Sequence, residues 1–257
     1  IGTLDNGNYI VTITDANNCQ ISFPKTIFEP TAITASISST TPVSCFGLSD
    51  GSATVDVTGG ALPYGYSWSN GQTSATASNL SAGSYSVTIT DGKGCTESDN
   101  TVITEPAVLS ATMGSPSTVS CNGGNNGSVT VTGSGGTAAT DYTYSWNTTP
   151  VQTTATATNL AAGDYSVTIK DDNNCTATAG PISISEPIAL SASIGISSMV
   201  SCNGGNSGSA TVTSSGGTAA TDYTYSWNTT PVQTTATASN LVAGNYTATV
   251  TDDNGCS

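Results

Sequence analysis

The stretch Leu80-Ser-Ala-Gly-Ser-Tyr-Ser-Val-Thr-Ile-Thr-Asp-Gly-Lys-Gly-Cys95 decides the fold, because its pattern occurs four times in the chain. Its residues Tyr85, Val87 and Ile89 alternate with serine and threonine. An alternation with a period of two predicts a strand buried on one face, and the following Asp-Gly-Lys-Gly is typical of a turn. The other three copies run over residues 4–19, 160–175 and 241–256.

These copies belong to a longer internal repeat. The cysteine that ends each copy, and the Glu-Pro dipeptide that follows it, recur every 76 to 81 residues. Such a period overrides the expectation of about two domains that length alone suggests. It predicts the C-terminal part of a truncated repeat over 1–30, then repeat 1 over 31–106, repeat 2 over 107–187 and repeat 3 over 188–257, which lacks its last strand. We expect the sequence to be part of a longer array.

Each complete repeat reads as a series of short strands separated by turns. In repeat 1 the predicted strands are A (33–39), B (52–58), C (64–69), D/E (73–80), F (84–90) and G (95–104). No segment has a helical period, and this strand spacing predicts an all-β fold of tandem Ig-like antiparallel β-sandwiches. The connections through Glu-Pro are very short and proline stiffens them, so we expect an elongated rod.

The composition argues against several classes of function. The net charge is −14, with three lysines and no arginine or histidine, so a cationic surface for nucleic acid is not expected. No apolar run approaches the roughly 20 residues of a membrane helix, so membrane insertion is not expected either. Without histidine there is no Ser/His/Asp or Cys/His pair, and the carboxylates lie on predicted turns without an apolar pocket. We therefore predict no catalytic residue and no enzyme activity.

Two groups of aromatic residues recur at fixed positions. Strand C carries a tryptophan preceded by tyrosines, which reads either as core or as an aromatic platform for sugar with its outermost tyrosines, Tyr64 and Tyr142, exposed. The core interpretation is favoured, because Ig-like sandwiches bury a tryptophan on strand C. A tyrosine also precedes strand F, as in a tyrosine corner. The predicted core residues are Trp68, Trp146, Trp227, Tyr85, Tyr165 and Tyr246.

Seven cysteines at fixed repeat positions predict disulfides and an oxidising, extracellular setting. Pairing within repeats would give Cys45–Cys95, Cys121–Cys175 and Cys202–Cys256. In an Ig-like sandwich, however, the A–B loop and the F–G turn lie about 24 Å apart at opposite ends, whereas a disulfide needs Cα atoms within about 7 Å.

Pairing between repeats is therefore slightly favoured, because the A–B loop of one repeat faces the F–G turn of the next. It gives Cys45–Cys175 and Cys121–Cys256. Cys19, Cys95 and Cys202 would then be bonded to further repeats or left unpaired. The within-repeat pattern stays open, since the long loop 39–50 could fold back.

Carboxylates gather at the F–G turns and at the joints between repeats. Oxygen ligands near such joints are suited to Ca2+. The alternative, which we favour, is turn-forming aspartate and solvated glutamate, because no EF-hand loop is present. No cofactor is expected, and a structural Ca2+ site stays open at Asp91, Glu105, Asp171, Asp172 and Glu186.

Several motifs together closely resemble one family. They are Val43-Ser-Cys45, Gly51-Ser-Ala-Thr-Val55, Pro63-Tyr-Gly-Tyr-Ser-Trp68, Leu80-x-Ala-Gly-x-Tyr85 and Thr90-Asp-x-x-Gly-Cys95. They resemble the SprB-type repeat of large bacterial gliding and cell-surface adhesins, and individual pieces are similar to PKD-type Ig-like modules. The resemblance implies a structural stalk on the bacterial cell surface, exported by type IX secretion, with a role in adhesion and gliding motility. The implied partners are neighbouring repeats of the same chain and a surface polysaccharide or substratum.

Two other functions are compatible with these residues. One is a carbohydrate-binding or spacer module of a secreted hydrolase, for which strand C would supply the aromatic platform. The other is a self-assembling extracellular filament or sheath, in which the incomplete sandwich over 1–30 takes part in strand complementation.

Overall fold

The computed structural model describes residues 3–137, 141–218 and 222–257. Its regular elements there are all β-strands, as the period of two predicts. The described residues contain no helix with the length and hydrophobicity needed to cross a membrane. The chain forms two compact units, Ile1–Ala107 and Val108–Ser257. The boundaries between individual repeats stay predictions.

The first unit contains a hairpin and one complete sandwich. The hairpin pairs β1 (Gly7–Thr14) with β2 (Gln20–Ile27). The sandwich has the strands β3 (Thr34–Thr41), β4 (Gly51–Thr58), β5 (Gly65–Trp68), β6 (Thr76–Leu80), β7 (Gly83–Thr90) and β8 (Thr96–Ile103). Its two antiparallel sheets have the orders β3-β4-β6 and β5-β7-β8, which correspond to strands A-B-E and C-F-G of an Ig-like fold.

The second unit repeats this architecture twice. Repeat 2 has β9 (Ala107–Met113), β10 (Gly127–Gly136), β11 (Thr143–Trp146), β12 (Thr156–Leu160), β13 (Gly163–Lys170) and β14 (Thr176–Ile184). Repeat 3 has β15 (Ser191–Ser198), β16 (Gly208–Ser215), β17 (Thr224–Trp227), β18 (Thr237–Leu241) and β19 (Ala248–Thr251). The sheets are β9-β10-β12 and β11-β13-β14 in repeat 2, and β15-β16-β18 and β17-β19 in repeat 3.

The core of each repeat lies between its two sheets. In repeat 1 the inward residues Val87 and Ile89 of β7 are 0% exposed and pack with Trp68 of β5 and Val55 of β4. Burying apolar side chains on one face of each sheet is what the alternating sequence requires. The predicted D/E segment is shorter than expected, because only Thr76–Leu80 pairs in a sheet.

The hairpin β1-β2 has no facing sheet among the described residues. Its Val11 and Ile13, which occupy the positions of the buried Val87 and Ile89, are 54% and 56% exposed. The same sequence pattern therefore buries its apolar face only where strands of the second sheet are present.

A tyrosine corner fixes the start of strand F. The Tyr85 hydroxyl donates to the Ser81 carbonyl oxygen at 3.1 Å, and the Tyr9 hydroxyl donates to the Asp5 carbonyl at 2.9 Å. Tyr165 and Tyr246 make the same bond to the residue four positions earlier. These rings are half-buried against the core.

Candidate functional site at the junction of neighbouring repeats

The loop between the first two strands of a repeat, the A–B loop, carries that repeat's first cysteine. In repeat 2 it joins β9 to β10. The Gly123 N–H donates to Glu186 Oε2 at 2.6 Å, and the Asn122 side-chain amide donates to the Pro187 carbonyl at 3.0 Å. Because Glu186 and Pro187 directly follow β14, these bonds attach the A–B loop to the end of its own repeat.

The turn between strands F and G, the F–G turn, is organised by one aspartate. In repeat 3, Asp252 Oδ1 accepts the N–H groups of Asn254 and Cys256 at 3.0 and 2.9 Å. Its Oδ2 accepts the Thr218 N–H at 2.8 Å, which ties the turn to the loop after β16. The carboxylate therefore sets the backbone position of the cysteine. Asp91 and Asp171 accept the equivalent three N–H groups in their own repeats.

These aspartates are among the few buried polar residues, with Asp91 6% exposed and Asp252 5% exposed. The Ala61 N–H holds the pKa of Asp91 below its ordinary value, and the Thr218 N–H does the same for Asp252, although burial acts in the opposite direction. Gly60 permits the contact in repeat 1, since a Cβ there would lie 2.9 Å from Asp91 Oδ2 and its φ is +61°.

A disulfide joins the A–B loop of repeat 2 to the F–G turn of repeat 3. It links Cys121 to Cys256, with Cα atoms 5.7 Å apart and 135 residues between them in sequence. The Asn254 side-chain amide donates to the Ser120 carbonyl at 2.9 Å beside it. One covalent bond and one hydrogen bond therefore connect the two repeats at this point.

This bond follows the between-repeat pattern. Because Cys256 is bonded to Cys121, neither Cys121–Cys175 nor Cys202–Cys256 forms, and Cys95 is free, so Cys45–Cys95 does not form either. Repeat 3 would need its A–B loop and F–G turn together for the within-repeat bond, and the sandwich separates them. The pairing of Cys45 with Cys175 stays a prediction. The free and exposed cysteines are Cys19, Cys95 and Cys202.

The carboxylates proposed for calcium have other partners. Asp91 and Asp171 hold their F–G turns, while Glu186 and Glu105 accept the N–H groups of glycines in the A–B loops, at 2.7 Å for Glu105. Among the residues that the structure describes, no three acidic or cysteine side chains form a group that could hold a metal. Calcium at these residues and Asp172 thus remains a prediction, and amide donors already occupy several of the oxygens it would use.

The aromatic residues of strand C face the core. Trp68, Trp146 and Trp227 are 1–2% exposed, and each indole N–H donates to a backbone carbonyl at 2.8–2.9 Å. The outermost tyrosines are half-buried: the Tyr64 hydroxyl donates to the Gly59 carbonyl, and the Tyr142 hydroxyl donates to the Gly135 carbonyl. An exposed aromatic platform is therefore not what these residues form.

Sequence reasoning missed a recurring glutamine. Gln152 donates from Nε2 to the Thr158 carbonyl and accepts the Thr158 N–H, both at 2.9 Å, which closes the loop before strand E. Gln72 and Gln233 do the same in their own repeats. The signal was present, because each glutamine lies eight residues before the recurring leucine.

Comparison with known proteins adds one family and several distant structures. No curated protein matches the chain. A structure from a 1.5-MDa bacterial ice-binding adhesin is 18% identical and covers 88% of this chain and 85% of its own, with a TM-score of 0.34. A tetra-tandem repeat from the extending region of a large adhesion protein is 14% identical and covers 98% of this chain and 72% of its own, with a TM-score of 0.24.

A Dscam structure is 15% identical with a TM-score of 0.29 and covers 66% of this chain, which spans about half of that structure's length, 51%. These low values carry no conclusion about function. The family comparison is specific: the SprB repeat model matches residues 37–73, 114–150 and 196–231, one segment in each of the three sandwiches. The three sandwiches of this chain therefore belong to the SprB repeat family.

Proposed function

We propose that this chain is a segment of the stalk of a bacterial cell-surface adhesin and that its role is mechanical rather than catalytic. The observation that carries the proposal is the Cys121–Cys256 bond between consecutive repeats. A disulfide at that position contributes nothing to a ligand pocket. It does limit how far two neighbouring sandwiches can separate.

The arrangement of the bond suits a chain under tension. Force applied on either side of Cys121 and Cys256 passes through the disulfide, so the 135-residue stretch between them is not stretched even when the sandwiches open. Glu186 supports this path, because it holds the A–B loop against the end of its own repeat. In tandem arrays each unit contacts mainly its neighbours, so the joint decides the stiffness.

The finer parts of the proposal come from the family. Membership of the SprB repeat family supports an extracellular location on the bacterial surface, with neighbouring repeats of the same chain as the main partners. Export by type IX secretion, a role in gliding motility, the rod shape and adhesion to a polysaccharide or other substratum are the article's proposals. The acidic net charge of −14 is favourable for the solubility of a long exposed polymer.

The test uses antibodies raised against the 257-residue chain. On intact cells of the source bacterium we expect surface labelling, and we expect deletion of the region coding for the repeats to reduce attachment and gliding. Labelling only after permeabilisation, or attachment and movement unchanged by the deletion, would contradict the proposal.

The carbohydrate-binding alternative receives less support. Its candidate tyrosines donate their hydroxyls to the glycine loop after strand B and pack on the core, so they offer little free surface for stacking on a sugar. Binding of the isolated chain to polysaccharide, lost in Tyr142→Phe, would reverse this preference.

A further inference from the structure

Repeat 3 has an open groove in the position that strand G fills in the other two sandwiches. The groove encloses about 380 Å³ and is lined by Val200, Leu241, Gly244 and Tyr246, among others. A second cavity continues along the same edge, between Leu190 and Ala192 on the β15 side and Val250 of β19. In the described residues β19 has only β17 as its neighbour in the sheet.

The equivalent grooves of repeats 1 and 2 are filled by a strand of constant chemistry. In repeat 1, β8 pairs with β7 so that Ile103 lies opposite Gly83, and in repeat 2, β14 pairs with β13 so that Ile184 lies opposite Gly163. Both isoleucines are buried, at 1% and 2% exposure. Each is followed, two residues later, by Glu-Pro.

Two further contacts attach each strand to the A–B loop. The Val43 N–H donates to the Thr104 carbonyl, and the Val119 N–H donates to the Ser185 carbonyl, both at 2.9 Å. The glutamate that follows accepts a glycine N–H of the same loop, as described above for Glu105 and Glu186. The strand is therefore held at three points: the isoleucine, the next carbonyl and the glutamate.

Repeat 3 retains the receiving half of these contacts. Val200 and Gly204 occupy the positions of Val119 and Gly123, two residues before and after Cys202. Without the incoming strand, strand F is regular only over Ala248–Thr251, whereas β13 runs over Gly163–Lys170. Val200 is also only half-buried, whereas Val119 is 2% exposed.

We propose that this groove is a strand-acceptor site for an extended peptide that carries isoleucine two residues before Glu-Pro. The peptide runs antiparallel to β19 and extends the sheet, as in other cases of β-strand addition. Its isoleucine enters the cavity between Val200, Leu241 and Gly244. Its next carbonyl accepts the Val200 N–H, and its glutamate accepts the Gly204 N–H.

The occupant is identified by the two filled grooves rather than by the cavity alone. Ile103-Thr-Glu-Pro106 and Ile184-Ser-Glu-Pro187 differ at the middle residue but share the isoleucine and Glu-Pro. Because main-chain bonds supply much of the affinity in strand addition, the side-chain pocket is what selects the register. This inference is independent of adhesion, since it concerns only which segment repeat 3 accepts.

The experiment adds a synthetic peptide with the sequence of residues 176–187 to the full 257-residue chain with its disulfide intact. Calorimetry measures binding, and hydrogen exchange locates it. We expect saturable 1:1 binding and slower exchange over residues 241–250 and at Val200 and Gly204. The matched control is the same peptide with Ile184→Asp, which should bind at least about tenfold more weakly, because a carboxylate would be buried in an apolar pocket.

Three results would overturn the proposal. One is the absence of saturable binding. Another is equal binding of the two peptides. The third is protection at the β1-β2 hairpin instead of repeat 3. Sedimentation of the chain alone provides a further check: dimers that protect residues 241–250 without any peptide would mean that a second copy, not this peptide, occupies the groove.

Discussion

The sulfur atoms of Cys121 and Cys256 are bonded to each other although 135 residues separate them in sequence. The bond connects the A–B loop of one sandwich to the F–G turn of the next. Each cysteine is positioned by a carboxylate of its own repeat: Glu186 fixes the A–B loop, and Asp252 accepts the Cys256 N–H. The junction is thus built from groups that repeat along the chain, so its chemistry can recur at every joint.

The disulfide should limit the extension of the chain under force. With handles attached at residues 108 and 257 of the full chain, we expect the oxidised protein to extend far less than the Cys121→Ser variant when the repeats unfold. The 135 residues between the cysteines correspond to about 450 Å of extra contour length. Optical tweezers measure this directly. Equal contour lengths for the two proteins would mean that the bond does not form in solution.

The buried aspartate of the F–G turn should be essential for local order. Asp91→Asn leaves one carbonyl oxygen where two carboxylate oxygens accept three N–H groups, so the turn should open more often. We expect faster hydrogen exchange at the amides of Ala61, Lys93 and Cys95. Asp56→Asn is the matched control, because Asp56 is exposed on β4 in the same repeat. Similar exchange in both variants would contradict the role assigned to Asp91.

The same carboxylates should make the fold sensitive to acid. The pKa values of Asp91 and Asp252 are lowered in the folded chain by N–H donors, first by Ala61 and Thr218 respectively. Just below the unfolded value of about 4, the unfolded state binds more protons, so stability rises with pH there. The contribution is fully present above that pH and is lost as pH falls through the folded pKa. Chemical unfolding at a series of pH values should show a shallower acid dependence in Asp91→Asn.

The sequence predicted the strands and the core well, because both follow from local alternation. The period of two around Val87 and Ile89 can face only one way in a sheet, and Trp68 followed from the same pattern. The roles of Asp91 and Glu186 were harder to predict. Their partners, Ala61 and Gly123, lie 30 and 63 residues away, so only the folded chain brings them together. An acidic residue near a joint fits a calcium ligand and a backbone acceptor equally well in sequence.

The buried tryptophan should carry a large share of a repeat's stability. Trp68→Ala removes the largest side chain from the core of repeat 1 and should destabilise that sandwich by about 3–5 kcal/mol. Leu62→Ala, at a residue that is 77% exposed, should change stability by less than about 0.5 kcal/mol. Hydrogen exchange at residues 83–90 reports on repeat 1 alone. If both variants exchanged alike, Trp68 could not be a core residue in solution.

The glutamate of the Glu-Pro dipeptide should hold the A–B loop in the position that its cysteine needs. Glu186→Ala removes the acceptor for the Gly123 N–H, and the cost of opening the loop should fall by about 1 kcal/mol, so that the Gly123 amide exchanges roughly fivefold faster. Glu186→Gln keeps a side-chain oxygen and should restore most of the protection. Because Cys121 lies two residues before Gly123, the alanine variant should also reform the Cys121–Cys256 bond more slowly after reduction, as followed by non-reducing peptide mapping. Unchanged exchange together with unchanged reoxidation would show that the A–B loop is held without Glu186.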